Sequence, residues 1–398
     1  MNCIEMFSGA GGLAKGLEMA GANHCAFVEW NTDACNTLRM NFNPRLVHEG
    51  DVRNFNFADF THIDVIAGGP PCQPFSLGGK AHGNEDKRDM FPAAISAIRT
   101  ILPKVFIFEN VKGLLRASFS EYFDFILLQL AYPHIEMASE NWRDKYHLLK
   151  ALSLNKTEEP YYRISFKLVN AADYGIPQLR ERVLIVGFRK DMDIEWSFPQ
   201  PTHSKDALLW DMFVSEGYWC RHCVRNHYPA NTVQSYFALL KGKYGLFAPH
   251  LRPWRTVRDA IHDLGEPDNK GDHMFRKGAR EYPGHTGSLL DEPSKTLKAG
   301  SHGVPGGENM IKFPDGHVRY YSIAEAKRIQ TFPDEYQISG SWSEAMRQLG
   351  NAVPVDLAAL LAKSIFTAMA PNQQQQAPIK NDTRPVLNFG TVTAPMPM

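Results

Sequence analysis

Cys3-Ile4-Glu5-Met6-Phe7-Ser8-Gly9-Ala10-Gly11-Gly12-Leu13 is the stretch on which the reading of the fold turns. Cys3–Phe7 reads as a strand and Leu13–Ala20 as a helix. The glycines between them permit a tight turn where backbone comes close to a ligand and a helix N-terminus offers free N–H groups. Glycines at 9, 11 and 12 do not make the dinucleotide Gly-x-Gly-x-x-Gly pattern. Working outward, His24–Val28, Asp64–Ala67, Val105–Phe108, Arg163–Asn170 and Arg182–Phe188 read as further strands. Asp33–Asn41, Phe91–Leu102 and Phe119–Leu130 read as helices between them. This alternation predicts an α/β fold, a Rossmann-like and mostly parallel sheet with helices on both faces and ligands at the carboxyl ends of its strands.

From about Trp196 the rhythm breaks, and prolines, glycines and histidines punctuate short segments. The expected organisation is a first α/β part over 1–194, a separate, small irregular domain over 195–305, and a C-terminal part over 306–370. Residues 371–398, with the Gln373–Gln376 run, read as a disordered tail. The formal net charge is +0, which argues against an indiscriminate nucleic-acid coat. A local basic surface is still present. Cys220–Arg258 holds Arg221, Arg225, Lys241, Lys243, Arg252, Arg255 and Arg258, no acid, and interleaved tyrosines and tryptophans, the pattern of a confined phosphate-and-base contact. The alternative for this stretch is a solvated face over ordinary core aromatics.

Six cysteines are too sparse for a disulfide framework and suit a reducing, cytoplasmic setting. Apolar runs are strand-length and no basic leader precedes Cys3, so neither a membrane span nor export is expected. Cys220 and Cys223, with His227, resemble half a zinc site. No second similarly spaced pair exists, and no metal is expected.

Four further elements carry chemistry. Glu29 ends the second strand and can accept from ribose hydroxyls, Trp30 can stack on an adenine, and Asp51 can accept from an exocyclic amine. In Gly68-Gly69-Pro70-Pro71-Cys72-Gln73-Pro74-Phe75-Ser76 three prolines and two glycines hold Cys72 on a rigid, exposed turn, unlike a cysteine that merely fills a core. The glycine-hinged run beyond it suits a lid. Glu109 ends the strand of Phe106-Ile107-Phe108-Glu109-Asn110-Val111. Because neighbouring parallel strands end on one edge, it should lie near Cys72 and share a proton with a base; a helix-capping carboxylate is the plainer reading. Alternation in Gln178-Leu179-Arg180-Glu181-Arg182 puts Gln178, Arg180 and Arg182 on one face.

In this order the motifs resemble those of the DNA (cytosine-5) methyltransferase family, of bacterial restriction–modification type. Two late segments, Tyr321–Asp334 and Gln348-Leu349-Gly350-Asn351-Ala352-Val353-Pro354, extend the likeness, which covers roughly 2–190 and 307–368. The resemblance implies an S-adenosyl-L-methionine-dependent methyltransferase sheet and sequence-specific methylation of a flipped-out cytosine in double-stranded DNA. It makes Cys72 the nucleophile on C6, sets Glu109 on N3 and the exocyclic amine, Arg182 on O2, and Arg180 in support. Phe7, Ser8, Gly9, Gly11, Gly12, Leu13, Glu29, Trp30, Asp51, Val52 and Pro70, completed by Asn351 and Val353, would surround the methyl donor. Gln73, Ser76, Arg88, Asn110 and Gln178 would meet the substrate, Arg88 on a phosphate as the Ser76–Asp89 lid closes. A tRNA cytosine-5 methyltransferase of the same fold is the alternative; its Cys-Phe-Thr signature is absent. A catalytically dead homologue is a second, which retention of Cys72, Glu109, Arg180 and Arg182 opposes. Domain economy suggests a monomeric bacterial enzyme working beside a cognate restriction endonuclease.

Overall fold

A computed structural model of the chain describes residues 1–71, 89–136, 139, 141–283, 285–299 and 309–370. Cys72, Gln73, Ser76 and Arg88, and the 371–398 tail, lie outside the described residues.

Seven strands form the central sheet: β1 (Asn2–Met6), β2 (Asn23–Glu29), β3 (Val47–Glu49), β4 (Val65–Gly68), β5 (Val105–Val111), β6 (Tyr162–Asn170) and β7 (Glu181–Arg189). Their order is β3-β2-β1-β4-β5-β7-β6. Only β7 is reversed, pairing antiparallel with both β5 and β6. The chain winds outward from β1 to β3, then returns to β4 on the other side of β1. That reversal is the switch point at which such sheets gather ligands. The glycine turn after β1 and the Pro70-Pro71 corner after β4 both open onto it.

Side chains of a strand alternate between faces, and both faces here are buried. Cys3, Val65, Ala67, Val105 and Ile107 pack beneath α1 (Gly12–Met19) and α12 (Val355–Met369), against Leu13, Leu17, Leu357, Leu361 and Ile365. Ile4, Ile66, Phe106 and Phe108 face the other way, against Ile95 and Ile98 of α3 (Phe91–Ile101) and Phe123 and Ile126 of α4 (Ser120–Ala131). Two more helices complete this half, α2 (Thr32–Asn41), capped by Asn31, and α5 (Trp142–Asn155). The alternation read from the sequence holds; β3 and α5 are additions to it.

The packing departs from the expected division of the C-terminal half. Instead of an irregular region, α6 (Lys205–Phe213), α7 (Gly217–Arg221) and α8 (Ala230–Tyr244) enclose Leu208, Met212, Phe213, Tyr218 and Trp219, with Tyr228, Tyr236 and Trp254 against them. Prolines 201, 229 and 253 flank these helices rather than interrupt them. A short parallel pair, β8 (His203–Ser204) and β9 (Arg252–Pro253), forms the base of this helical insert, which is anchored by a 3.0 Å bond from Trp254 Nε1 to Asp173. From Val257 onward the chain already belongs to the C-terminal core. Val257 and Ile261 of α9 (Val257–Ile261), then Leu290 and Leu297, pack with Ile311, Tyr321, Ile329 and Leu349. That core carries β10 (Ser288–Leu289), β11 (Met310–Lys312) and β12 (Val318–Tyr320) as a three-stranded sheet, with α10 (Ile323–Ile329) and α11 (Trp342–Asn351).

The run Asn351–Met369 reads from its sequence as one helix. Asn351 instead ends α11, and α12 starts after Pro354, whose ring favours a helix start over a helix interior. Among the described residues Trp342–Met369 has the length and apolarity of a membrane span, but it is these two helices, parted at Ala352–Pro354 and facing the core.

Candidate active site

At the end of β1 the three glycines of the turn serve different ends. Gly11 has φ 77°, the left-handed conformation that favours glycine, and begins α1. A Cβ on Gly12 would lie 2.2 Å from the Val353 carbonyl oxygen, so glycine is what lets the returning C-terminal segment touch the turn. Gly9 alone of the three faces open space, with φ 52° and no atom within 4 Å of a Cβ built there. Its N–H donates to Glu29 Oε2 at 2.8 Å, while Glu29 Oε1 accepts from the amides of Trp30 (3.0 Å) and Asn31 (2.9 Å). A carboxylate offers about four acceptor sites, so three backbone bonds fix Glu29 and leave room for a hydroxyl. Trp30 is 75% exposed beside it.

Gly50 N–H donates to the Glu29 carbonyl, and this brings Asp51 to the same rim. Asp51 is not a free acceptor. Arg53 clasps both its oxygens, and these bonds hold its carboxyl below the usual range. The sequence reading did not foresee this partner. Ser8 turns its hydroxyl back to the Glu5 carbonyl at 3.0 Å. Leu13, Val52 and Val353 are buried apolar walls, Phe7 lies half-buried at φ 55°, and Asn351 is exposed at the end of α11. Beneath the turn Glu5 is fully buried with Oε2 unpartnered, and burial pushes its carboxyl well above the usual range.

Two strands along the same edge from β1, on β5 and β7, stands a second group. Leu184 pairs with Glu109 and Arg182 with Val111, so Arg182 lies diagonally across from Glu109 on the sheet, within reach of a long side chain. Arg182 Nε is 2.6 Å from Glu109 Oε1; the atoms are close in charge but not aligned as a hydrogen bond, and that oxygen has no hydrogen-bond partner. The other carboxylate oxygen would lie 3.4 Å from a Cβ on Gly69, three residues before Cys72. Asn110 donates to the Pro70 carbonyl at 2.9 Å, which pins the Pro-Pro corner to β5 and places this side chain on protein backbone. Met90 N–H donates to the Pro71 carbonyl at 3.1 Å, so the chain leaves for residue 72 and returns at 89 beside one point of the site.

Arg180 is wholly buried. Its Nη2 donates to the Gly350 carbonyl at 2.9 Å, and Nε and Nη1 have no partner. Burial, then the neighbouring Arg182, press its pKa well below the ordinary guanidinium value, and Glu109 opposes them. Gln178, also buried, accepts from Leu297 N–H (3.1 Å) and donates to Gln330 (3.2 Å), so its amide is spent within the protein. The expected common face of Gln178, Arg180 and Arg182 therefore divides, with Arg182 toward Glu109 and the other two toward the C-terminal part. Gln330 was not singled out by sequence, because a polar residue within a helix end gives no sign that it is fully buried.

Of the seven cations of 220–258, Arg221 pairs with Asp211 (2.8 Å), Lys243 with Asp206 (2.6 Å) and Arg258 with Asp291 (2.6 Å). Among the described residues no carboxylate pairs with Arg225, Lys241, Arg252 or Arg255. His222 bonds Asp259 at 2.8 Å rather than facing Cys220 and Cys223, and no described cluster of three or more His, Cys, Asp or Glu is placed to share an ion.

The model of the C-5 cytosine-specific DNA methylase family matches residues 1–134 and 139–367. The chain is 31% identical over 370 residues to the type II methyltransferase M.NgoMIV of Neisseria gonorrhoeae, covering 92% of this chain and 97% of the relative. It is 33% identical over 380 residues to M.Eco47II of Escherichia coli, covering 91% and 78%. In fold it is similar to the Dnmt2 methyltransferase of S. pombe, with TM-score 0.55, 14% identity, and coverage of 93% of this chain and 99% of that one. With the glycine turn, the Pro-Pro corner, the Glu109–Arg182 pair and the returning C-terminal segment all on one sheet edge, the chain belongs to the C-5 cytosine-specific DNA methylase family.

Proposed function

We propose that this enzyme methylates C5 of a cytosine flipped out of duplex DNA, with Cys72 as nucleophile and S-adenosyl-L-methionine as methyl donor. The observation that carries the reading is the Glu109–Arg182 ion pair at the mouth of the Pro70-Pro71 corner, in which the buried Glu109 Oε1 has no hydrogen-bond partner, with two Arg180 donors unpartnered behind it. Unsatisfied buried polar groups are costly, and a site retains them where a ligand completes them. The edge of a cytosine, with its ring nitrogen, amine and carbonyl, supplies donors and acceptors of the matching kinds.

The groups at the end of β1 would take the donor. Gly9 leaves space for it, the braced Glu29 takes a ribose hydroxyl, Trp30 offers a face to the adenine, and Asp51, shared with Arg53, takes the amine. Val52, Val353 and Phe7 wall it, and Asn351 lies at its rim. When bound, the sulfonium supplies an electrophilic methyl group. The protein's part is to make a poor nucleophile reactive. The Cys72 thiolate adds to C6, and C5 becomes an enamine carbon able to take the methyl. Glu109 holds a proton at N3, Arg182 steadies the charge that develops on O2, and Arg180 backs them. Loss of the C5 proton and of the thiolate then restores the ring. In a stacked duplex C6 is hidden, so the base must leave the helix, at a cost of a few kcal/mol. Gln73, Ser76 and Arg88 would meet it, Arg88 on a phosphate. Base reading falls to the helical insert, in the major groove.

The cell context is a bacterial cytoplasm, where a cognate endonuclease cuts the same site when it is unmethylated; the enzyme works as a monomer. The test is transfer of labelled methyl from S-adenosylmethionine to duplex DNA and to tRNA, with Cys72→Ser alongside. Label in duplex DNA that Cys72→Ser abolishes supports the proposal, and label in tRNA alone refutes it.

A further inference from the structure

A fully buried chain of amides runs from the C-terminal part to the strand start that carries Arg180 and Arg182. Leu297 N–H donates to Gln178 Oε1 (3.1 Å), and Gln178 Nε2 donates to Gln330 Oε1 (3.2 Å). Gln330 Nε2 then donates to the carbonyls of Leu349 and Ala352 (3.3 Å). Those two carbonyls bracket Gly350 and Asn351, where α11 ends and leads into the turn to α12. Val355 N–H returns to the Gln330 carbonyl at 3.1 Å, so a single residue ties both ends of the turn. Val353 in the same turn lies on Gly12, where its carbonyl would meet a Cβ at 2.2 Å. Arg180 Nη2 adds a second strut at Gly350.

We infer that Gln178 and Gln330 are positioning residues that set the donor-side turn Gly350–Val353 against the β7 start, so that the methyl donor and the cytosine-activating pair keep one spacing. The inference rests on the proposed donor pocket. The polarity of the relay is consistent from end to end: each amide oxygen accepts and each amide nitrogen donates. Reversing one member therefore misplaces the turn. A methyl transfer needs its reacting atoms held near 3–3.5 Å, so displacement of the donor side is costly.

The test uses the full-length enzyme with Gln330→Glu, followed by steady-state kinetics for donor and duplex separately. A carboxylate there cannot donate to Leu349 and Ala352. KM for S-adenosylmethionine should rise about ten- to hundredfold, the scale of a buried carbonyl deprived of its donor, with a smaller change in KM for the duplex. The defect should shrink as pH is lowered from about 8.5 to about 6, because burial favours the protonated acid, whose O–H donates again. Gln178→Met, an uncharged change of similar size, should show the same donor-side defect in milder form. Adding Gln330→Met to Gln178→Met should cost less than the sum of the two, since they share one chain. Should Gln330→Glu fail to fold, as judged by thermal melting, the two Met variants decide the matter alone. Unchanged donor KM in folded variants, or strictly additive effects, overturns the relay while leaving a wild-type enzyme active on duplex DNA. A wild type inactive on duplex DNA overturns the functional reading itself.

Discussion

The sheet edge and the helical insert use charge in opposite ways. At the edge, Glu109 and Arg180 are buried and incompletely satisfied, with the half-buried Arg182 beside them, each set by a strand end. Over 220–258, acids from neighbouring segments neutralise Arg221, Lys243 and Arg258, and among the described residues no acid pairs with Arg225, Lys241, Arg252 or Arg255. Chemistry requires a few groups fixed in a low-dielectric place. Phosphate contact requires several cations in water, with the structural ones already paired. Which cation belongs to which class cannot be counted from composition.

The largest effect expected is at the edge. Glu109→Gln keeps the shape and removes the exchangeable proton, so kcat should fall by about 10²–10⁴-fold, with duplex affinity nearly unchanged. Weakened binding with normal kcat would reverse the roles assigned to the two regions. The cations of 220–258 separate by stability. Arg258→Ala leaves Asp291, which is 2% exposed, with the Tyr218 hydroxyl and His227 as its remaining described partners, and should lower unfolding free energy by about 2 kcal/mol in denaturant titration. Replacing Arg225, Lys241, Arg252 and Arg255 together by Ala should leave melting intact and flatten the salt dependence of duplex binding, by about 0.9 in log–log slope for each phosphate no longer neutralised. An unchanged slope would remove this face from the DNA interface.

How much of this was legible depends on what each residue's neighbours are. Strands β1, β2, β4 and β5 are mostly apolar runs, and their carboxyl ends put Glu29 and Glu109 on the edge where strand-end reasoning expects them. β3 has three residues and only Val47 buried, too little for a pattern, and α5 buries only Tyr146 and Leu149. The helices of the insert were masked by the prolines at their borders. Partners distant in sequence were not legible at all: Arg180 with Gly350, Gln330 with Gln178, Asp291 with Arg258. The glycine turn was half legible. Its tightness follows from residue type, but Gly12 answers to Val353, more than three hundred residues away.

Gly12→Ala sharpens that point. The added methyl must displace the Val353 carbonyl, so stability should fall by about 1–3 kcal/mol and donor KM should rise, both measurable by melting with and without the donor. The smallest effect concerns Glu5. Its carboxyl pKa is raised in the folded protein, so the folded state holds a proton that the unfolded chain has released. That stabilisation is complete below the ordinary glutamate value of 4.5 and is lost as pH rises toward the raised one. Glu5→Gln mimics the protonated form, so its melting temperature should exceed the wild type's increasingly from acid to alkaline pH. Parallel curves would contradict the assignment.

The central claim is that a cysteine sulfur bonds to the cytosine ring. A duplex carrying 5-fluorocytosine at the target position, incubated with enzyme and S-adenosylmethionine, cannot release the C5 substituent. The account predicts a denaturation-resistant protein–DNA species whose peptide mass places the link on Cys72; methylation of ordinary duplex DNA with no such species, or with the link elsewhere, would contradict it.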